Sequence, residues 1–252
     1  YDLYYSAFSL GWVWGYAPSQ AHHNEVAFNH AHHIGQQVLS DMGCIYTLGI
    51  SPGTTIHDNF FHDVVSYGYG GWGLYTDEGS TGVVMQNNLV VRCSRGGFHQ
   101  HYGKENRIVN NILAYGGEHQ VQRTRTEEHI SFFFERNIVL WDNGSPLLGS
   151  NWKDNNFKLD HNLYWHTGKP VTFPGDLSLA QWQAQRQQDV HSLITDPGFV
   201  NPARDDYRLK ADSPALKLGF KPFDYTRAGR RPEPILTKDL PEIPAGFPGS
   251  QK

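Results

Sequence analysis

Cysteine is nearly missing: Cys44 and Cys93 are the only two in a chain of 252 residues. That excludes a disulfide framework, and both thiols read as small buried side chains rather than a bridge. No run of about 18 apolar residues exists, so no transmembrane helix and no membrane partner is expected. A formal net charge of −4 argues against a nucleic-acid partner held by phosphate neutralisation. Helical patterning is also scarce. Through residues 1–170 the apolar positions do not recur at helical spacing, which excludes paired-helix repeats. Disorder is excluded by what is plentiful instead: 13% aromatic residues and 26 glycines, at a mean hydropathy of −0.54. Asn, Gly, His and β-forming residues together point to short strands and many turns. The chain opens Tyr1-Asp2-Leu3-Tyr4-Tyr5 without an initiator Met or a leader. It reads as a piece of a longer or processed protein.

One phrase recurs along the chain: apolar, two residues, Asn, one residue, apolar. Val26 to Asn29 is a weak first copy. The rest are Ile56-Asn59-Phe61, Met85-Asn88-Val90, Ile108-Asn111-Leu113, Phe134-Asn137-Val139 and Leu159-Asn162-Tyr164. The steps from Asn to Asn are 30, 29, 23, 26 and 25 residues, a loose period with irregular insertions, as in a solenoid. The flanking segments are short, β-rich and bounded by turns, so the expected fold is all-β: a right-handed parallel β-helix of about six or seven coils. The Asn residues read as buried turn residues. Asn tolerates left-handed backbone, and its amide can bond along a stack of equivalents.

Three regions follow: β-helix coils over 1–176, a C-terminal helix and closing segment over 177–222, and a Pro-rich tail over 223–252. The helix is placed at 177–188 with Trp182 as its anchor, and Asp196-Pro-Gly-Phe199 and Asp212-Ser-Pro-Ala-Leu216 read as closing turns. At the other end, Asp2-Leu3-Tyr4-Tyr5 resembles His62-Asp63-Val64-Val65. The first coil therefore reads as cut within a rung, with coils missing before it. Such an end exposes Leu3 and Phe8, and self-association through it is expected.

Counting back from each Asn aligns the preceding strands. One column then carries Asp77 and Glu78, His99 and His101, Arg123 and Arg125, and Asn151 and Trp152 on neighbouring rungs. Parallel strands lie about 4.8 Å apart, so these residues are expected to form one polar cleft. Glu78 follows Asp77 directly. On a regular strand the two would face opposite ways, and a bend at Gly79 is needed to bring both to the cleft. His99 and His101 read as donors to sugar hydroxyls, since His-x-His without a third ligand is a weak metal signal. His22, His23, His30, His32 and His33 show no ligand spacing. No metal and no cofactor is expected. Trp152, Trp72 and Tyr102 are candidates to stack on sugar faces.

Several phrases carry a resemblance. They are Asp41-Met-Gly-Cys-Ile-Tyr-Thr-Leu-Gly49, Gly71-Trp-Gly-Leu-Tyr-Thr-Asp-Glu-Gly79, Gly96-Gly-Phe-His-Gln-His-Tyr-Gly103, Gln122-Arg-Thr-Arg125 and Gly149-Ser-Asn-Trp152. Over most of residues 1–222 the chain resembles right-handed β-helix carbohydrate enzymes of the pectate-lyase-like superfamily, and most of all glycoside hydrolase family 141. The resemblance implies a secreted or periplasmic enzyme acting on an oligo- or polysaccharide of the plant wall, with xylan-cleaving and fucose-releasing members in the family. Those members are longer than this chain.

Glycoside hydrolysis needs a proton donor and a second carboxylate. Asp77 is the first candidate, with Asp41 and Glu78 as its possible partners. Among the imidazoles and guanidinium groups of the column, Asp77 is expected to stay ionised and serve as nucleophile or base. Glu78 or Asp41, beside Trp72 and Met42, is expected to be the acid. Two rivals remain. One is a polysaccharide lyase on an acidic glycan, using Arg123 or Arg125 as base; the other is a non-catalytic glycan-binding solenoid.

Overall fold

The computed structural model describes residues 1–230. Within them the chain coils through three parallel sheets. Each coil runs along one strand of a first sheet, turns at the recurring Asn, crosses a back sheet, and then adds a strand to a cleft sheet. The back sheet stacks His30–Ile34, Phe60–Val64, Leu89–Cys93, Ile112–Ala114, Ile138–Trp141, Leu163–His166 and Leu193–Ile194, seven rungs in all. The cleft sheet stacks Phe8–Leu10, Gly43–Thr47, Trp72–Thr76, Gly96–Gln100, Val121–Arg123 and Leu148–Ser150. Every pairing in these two sheets is parallel. The parallel β-helix read from the sequence is the observed fold.

The Asn phrase forms a continuous ladder. Asn29, Asn59, Asn88, Asn111 and Asn137 each donate their side-chain amide to Oδ1 of the next Asn, at 2.9–3.3 Å. The same Oδ1 accepts the backbone N–H of the Asn before it. From Asn59 to Asn162 these residues are buried, as expected; Asn29, at the first copy, is half-buried. One detail differs from the sequence reading. The left-handed backbone belongs not to the Asn but to the residue before it: Phe28, Asp58, Asn87, Asn110, Arg136 and His161 all have φ of 53–59°. The preceding residue makes the corner, and the Asn satisfies the backbone groups that the corner leaves unpaired. After Asn162 the ladder ends on Ser192 and Asp189. Ser192 Oγ accepts the Asn162 N–H at 2.8 Å, and Asp189 Oδ1 accepts the Asn162 amide at 3.2 Å.

Asp189 also takes hydrogen bonds from Tyr164, Ser192 and Trp182. Trp182 is fully buried on the helix Leu179–Arg186, which begins at a Ser178–Gln181 capping box. The expected helix and its Trp anchor are thus present. The segment after it lies along the outer face of the back sheet. Phe199, Tyr207, Ala215, Phe220 and Tyr225 form a second apolar layer over Leu89, Val91, Ile112, Ile138 and Leu163. The packed region therefore runs past residue 222, because Tyr225 docks here and the Gly229 N–H reaches Phe28 O at 2.8 Å. The rest of the expected Pro-rich tail lies outside the described residues. At the other end Asp2 shares the left-handed backbone of Asp63, and Leu3 bridges Ile34, which itself pairs with Val64; the equivalence is one residue away from the position-by-position sequence match. Cys44 and Cys93 are buried free thiols. No helix among the described residues is long and apolar enough to cross a membrane.

Candidate active site

A cavity of about 390 Å³ opens on the cleft sheet. Its floor follows from strand register: Tyr75, His99 and Gln122 are successive partners on neighbouring rungs, in one column with Tyr46. Two residues further along each strand come Asp77, His101 and Thr124, which also line the cavity. Its wall follows from loop length. Residues 35–42 and 65–71 are long connections between the back and cleft sheets, and they carry Asp41 and Tyr69. On the next rung only Ser94 and Arg95 make that connection, which leaves the wall open above Arg95. Trp14, 66% exposed, and Tyr69, 54% exposed, stand at the rim.

Six of the sequence candidates meet here: Asp41, Asp77, Glu78, His99, His101 and Trp72. The expected bend is realised. The strand Trp72–Thr76 ends before Asp77, and Gly79 takes φ +75°, so Asp77 and Glu78 both reach the cavity. A Cβ at Gly79 would collide with the Gly15 backbone, so only glycine fits this bend.

Two candidates are not in the cleft. Arg123 points into the solenoid and is fully buried. There it bonds Ser131 Oγ at 3.2 Å and Asp154 Oδ1 at 2.9 Å. It pairs with Gln100 in an inward column that also holds Thr76. Trp152 is likewise in the core, packed on Phe132 and Phe157 and donating to Gly149 O at 2.7 Å. Both readings as substrate contacts are corrected: the count from Asn was off by one strand face for Arg123, and Trp152 lies beyond its strand. Three candidates flank the cavity. Tyr102 donates to Glu78 Oε2 at 3.1 Å, the Arg125 guanidinium lies 4.2 Å from the Tyr102 ring centroid, and Asn151 donates to Thr124 O at 3.4 Å.

Asp77 is 5% exposed and accepts the Tyr46 hydroxyl at 2.5 Å. Burial raises its carboxyl above the usual range, and nearby Asp41 adds to this; the Tyr46 and Tyr75 hydroxyls and His101 pull the other way. The shift therefore runs upward, opposite to the expected direction. The guanidinium groups that were to hold its charge are elsewhere, one inside the solenoid and one over Tyr102. Tyr75 Oη donates to Asp41 Oδ1 at 3.1 Å and also faces Asp77. One phenol thus stands between the two acids. Burial and the two carboxylates push its own ionisation far above the usual phenol range.

His99 is 2% exposed and lies between Trp72 and Tyr75, with ring centroids 4.1 and 4.7 Å away. Burial lowers its pKa well below the usual value, so the ring is neutral. Its Nε2 and His101 Nδ1 both reach Thr124 Oγ1, at 3.0 and 2.9 Å. Its Nδ1 is buried without a hydrogen-bond partner among the described residues. His101 Nε2 lies 3.9 Å from Glu78 Oε1. Trp72 donates to Gln122 Oε1 at 2.8 Å, which fixes its indole at the floor.

Sequence reasoning missed Tyr46, Tyr75, Gln122, Thr124, Arg95, Trp14 and Tyr69. The first four lie in register with residues it found, two positions from Asp77, His101 or their partners, so an alignment of both outward columns recovers them. The last three sit in loops, where no strand register exists to place them. No family model, curated protein or solved structure matches the chain.

Proposed function

We propose that the protein is a glycoside hydrolase acting on a plant cell-wall polysaccharide of xylan or pectin type, fucosyl linkages included, as its resemblance to glycoside hydrolase family 141 implies. The observation that carries this reading is Asp41 and Asp77 facing one phenol inside an aromatic-rimmed cavity. Asp77, buried and raised in pKa, suits the proton donor to the glycosidic oxygen. Asp41 is the carboxylate that attacks the sugar or activates water. The separation of the two carboxyl groups, about 5 Å or about 6.5–9.5 Å, decides between the retaining and the inverting course. Trp14, Tyr69 and Trp72 offer apolar faces to sugar rings, and His101 offers a polar contact to hydroxyls. A polymer substrate of this kind fits a secreted or periplasmic enzyme.

The test is a screen of wall polysaccharides with product analysis, using Asp77→Asn as control. New reducing ends are the expected result, and their anomeric configuration on release reads the stereochemical course. A second reading, a lyase on an acidic glycan, draws on Arg95 in the cavity and would yield products with the absorbance of an unsaturated sugar. Its base would not be Arg123, which is buried away from the cleft. Binding without cleavage, unchanged in Asp77→Asn, would instead make the solenoid a glycan-binding module.

A further inference from the structure

At the closing end of the solenoid, Asp160, His161 and His191 converge. Asp160 ends the strand Lys158–Asp160, His161 is the left-handed corner before the last ladder Asn, and His191 follows the ladder cap Asp189. Asp160 Oδ1 accepts the backbone N–H groups of His161 and His191, at 2.9 and 2.8 Å. That fixes the carboxylate and turns Oδ2 toward both rings, 3.1 Å from His161 Nδ1 and 2.8 Å from His191 Nδ1. The two imidazoles are stacked, with centroids 4.6 Å apart and planes at 22°, so both Nδ1 edges face the same way. The three donor atoms all lie within 4.8 Å of one another.

We infer that these three residues form a site for a divalent transition metal of the zinc class. Bonds of about 2.0–2.1 Å in a tetrahedron separate donor atoms by about 3.3 Å. The observed spacing needs only a small outward shift of the rings to admit an ion. Two imidazole nitrogens and one carboxylate oxygen select Zn²⁺, Ni²⁺ or Cu²⁺ over Mg²⁺ or Ca²⁺, which prefer all-oxygen shells. The backbone N–H groups on Oδ1 supply the supporting shell that holds a ligating carboxylate in place. The His191 side chain is 62% exposed, so water completes the fourth position and an ion enters freely. His191 and Asp160 stand 31 residues apart in sequence, with the helix Leu179–Arg186 between them. A bound ion therefore clips the closing segment to the last full coil. The site is remote from the acid cleft and independent of any reading of it.

The test is calorimetric titration of the purified chain with ZnCl₂ after chelator treatment, paired with thermal unfolding. One Zn²⁺ per chain and a melting temperature raised by roughly 5 °C at about 100-fold excess over Kd are expected, with no effect from MgCl₂. His191→Ala, an exposed change, abolishes both effects. His161→Asn does the same and keeps a residue that tolerates the left-handed corner. The double variant His32→Ala/His33→Ala, in the separate histidine group near the other end, leaves both unchanged. Zinc binding that survives in His191→Ala and His161→Asn, or that is lost in the His32/His33 variant instead, overturns the assignment. Equal stabilisation by Mg²⁺ overturns the metal class, and no binding at millimolar zinc overturns the site.

Discussion

Tyr75 Oη donates to Asp41 Oδ1 across 3.1 Å, from the strand that pairs with the one Asp41 leads into. The same hydroxyl faces Asp77, so it both orients Asp41 and separates two carboxyl groups that would otherwise repel. Tyr75→Phe keeps the ring that stacks on His99 and removes only this contact. On a confirmed substrate, kcat is expected to fall about 10- to 100-fold, with a displaced pH profile and little change in melting temperature. An unchanged pH profile would remove the phenol from the reaction.

Asp77→Asn separates catalysis from stability. Activity on the same substrate is expected to fall by about 10³-fold or more. Stability moves the other way. The folded carboxyl titrates above its usual value of 3.8, so the protonated form's contribution is complete below that value and is lost as pH rises through the folded pKa. The variant carries no such loss. It is expected to melt higher than the parent at pH 7, with the difference closing below about pH 4. A variant less stable than the parent at neutral pH would contradict the raised pKa.

Asn111→Leu tests the ladder. Asn111 Oδ1 accepts from Asn88 N and Nδ2, and its amide donates to Met85 O and Asn137 Oδ1. Leu leaves several buried polar groups unpaired, and the expected loss is about 3–6 kcal/mol, read by denaturant unfolding. Asn29→Leu, at the half-buried first position, should cost markedly less.

Arg123→Leu distinguishes a structural arginine from a substrate contact. Removing a buried cation leaves Asp154 without its partner, and a destabilisation of about 2–4 kcal/mol is expected. For protein that remains folded, KM should be unchanged. A large rise in KM would put the guanidinium back in the cleft.

Trp14→Ala should do the reverse. The indole is 66% exposed and stands at the cavity rim, so stability should hold while KM rises about 10-fold through lost stacking.

How much of this was legible beforehand divides along physical lines. The Asn recurrence carried the coil count, the parallel stacking and the buried turns, because a stacked amide constrains both residue type and spacing. The helix was readable from the local run over 177–188 and its anchor Trp182, whose signal does not depend on distant partners; its Ser178–Gln181 capping box was not read. Asp77, His99 and His101 were readable because strand register transmits position from rung to rung. Arg123 was misplaced because a one-residue slip in a strand exchanges inside for outside. The direction of the Asp77 shift was misjudged in part for the same reason, since one of the two guanidinium groups assigned to its surroundings is on the wrong face. Trp14, Tyr69 and Arg95 belong to connections whose paths are set by packing, and nothing periodic marks them.

The ladder steps range from 23 to 30 residues, yet the amide column is unbroken from Asn29 to Asn162. All variation in coil length is therefore accommodated on the far side of each turn. Among the connections from the back sheet to the cleft sheet, the longest are the two that raise the cleft wall around Asp41 and Tyr69, and the shortest is the one that opens it at Arg95. The column acts as a seam that registers the coils whatever their circumference. Lengthening or shortening the wall loops can thus reshape the cleft while the spine of the fold keeps its alignment, without the protein having to find a new way to fold.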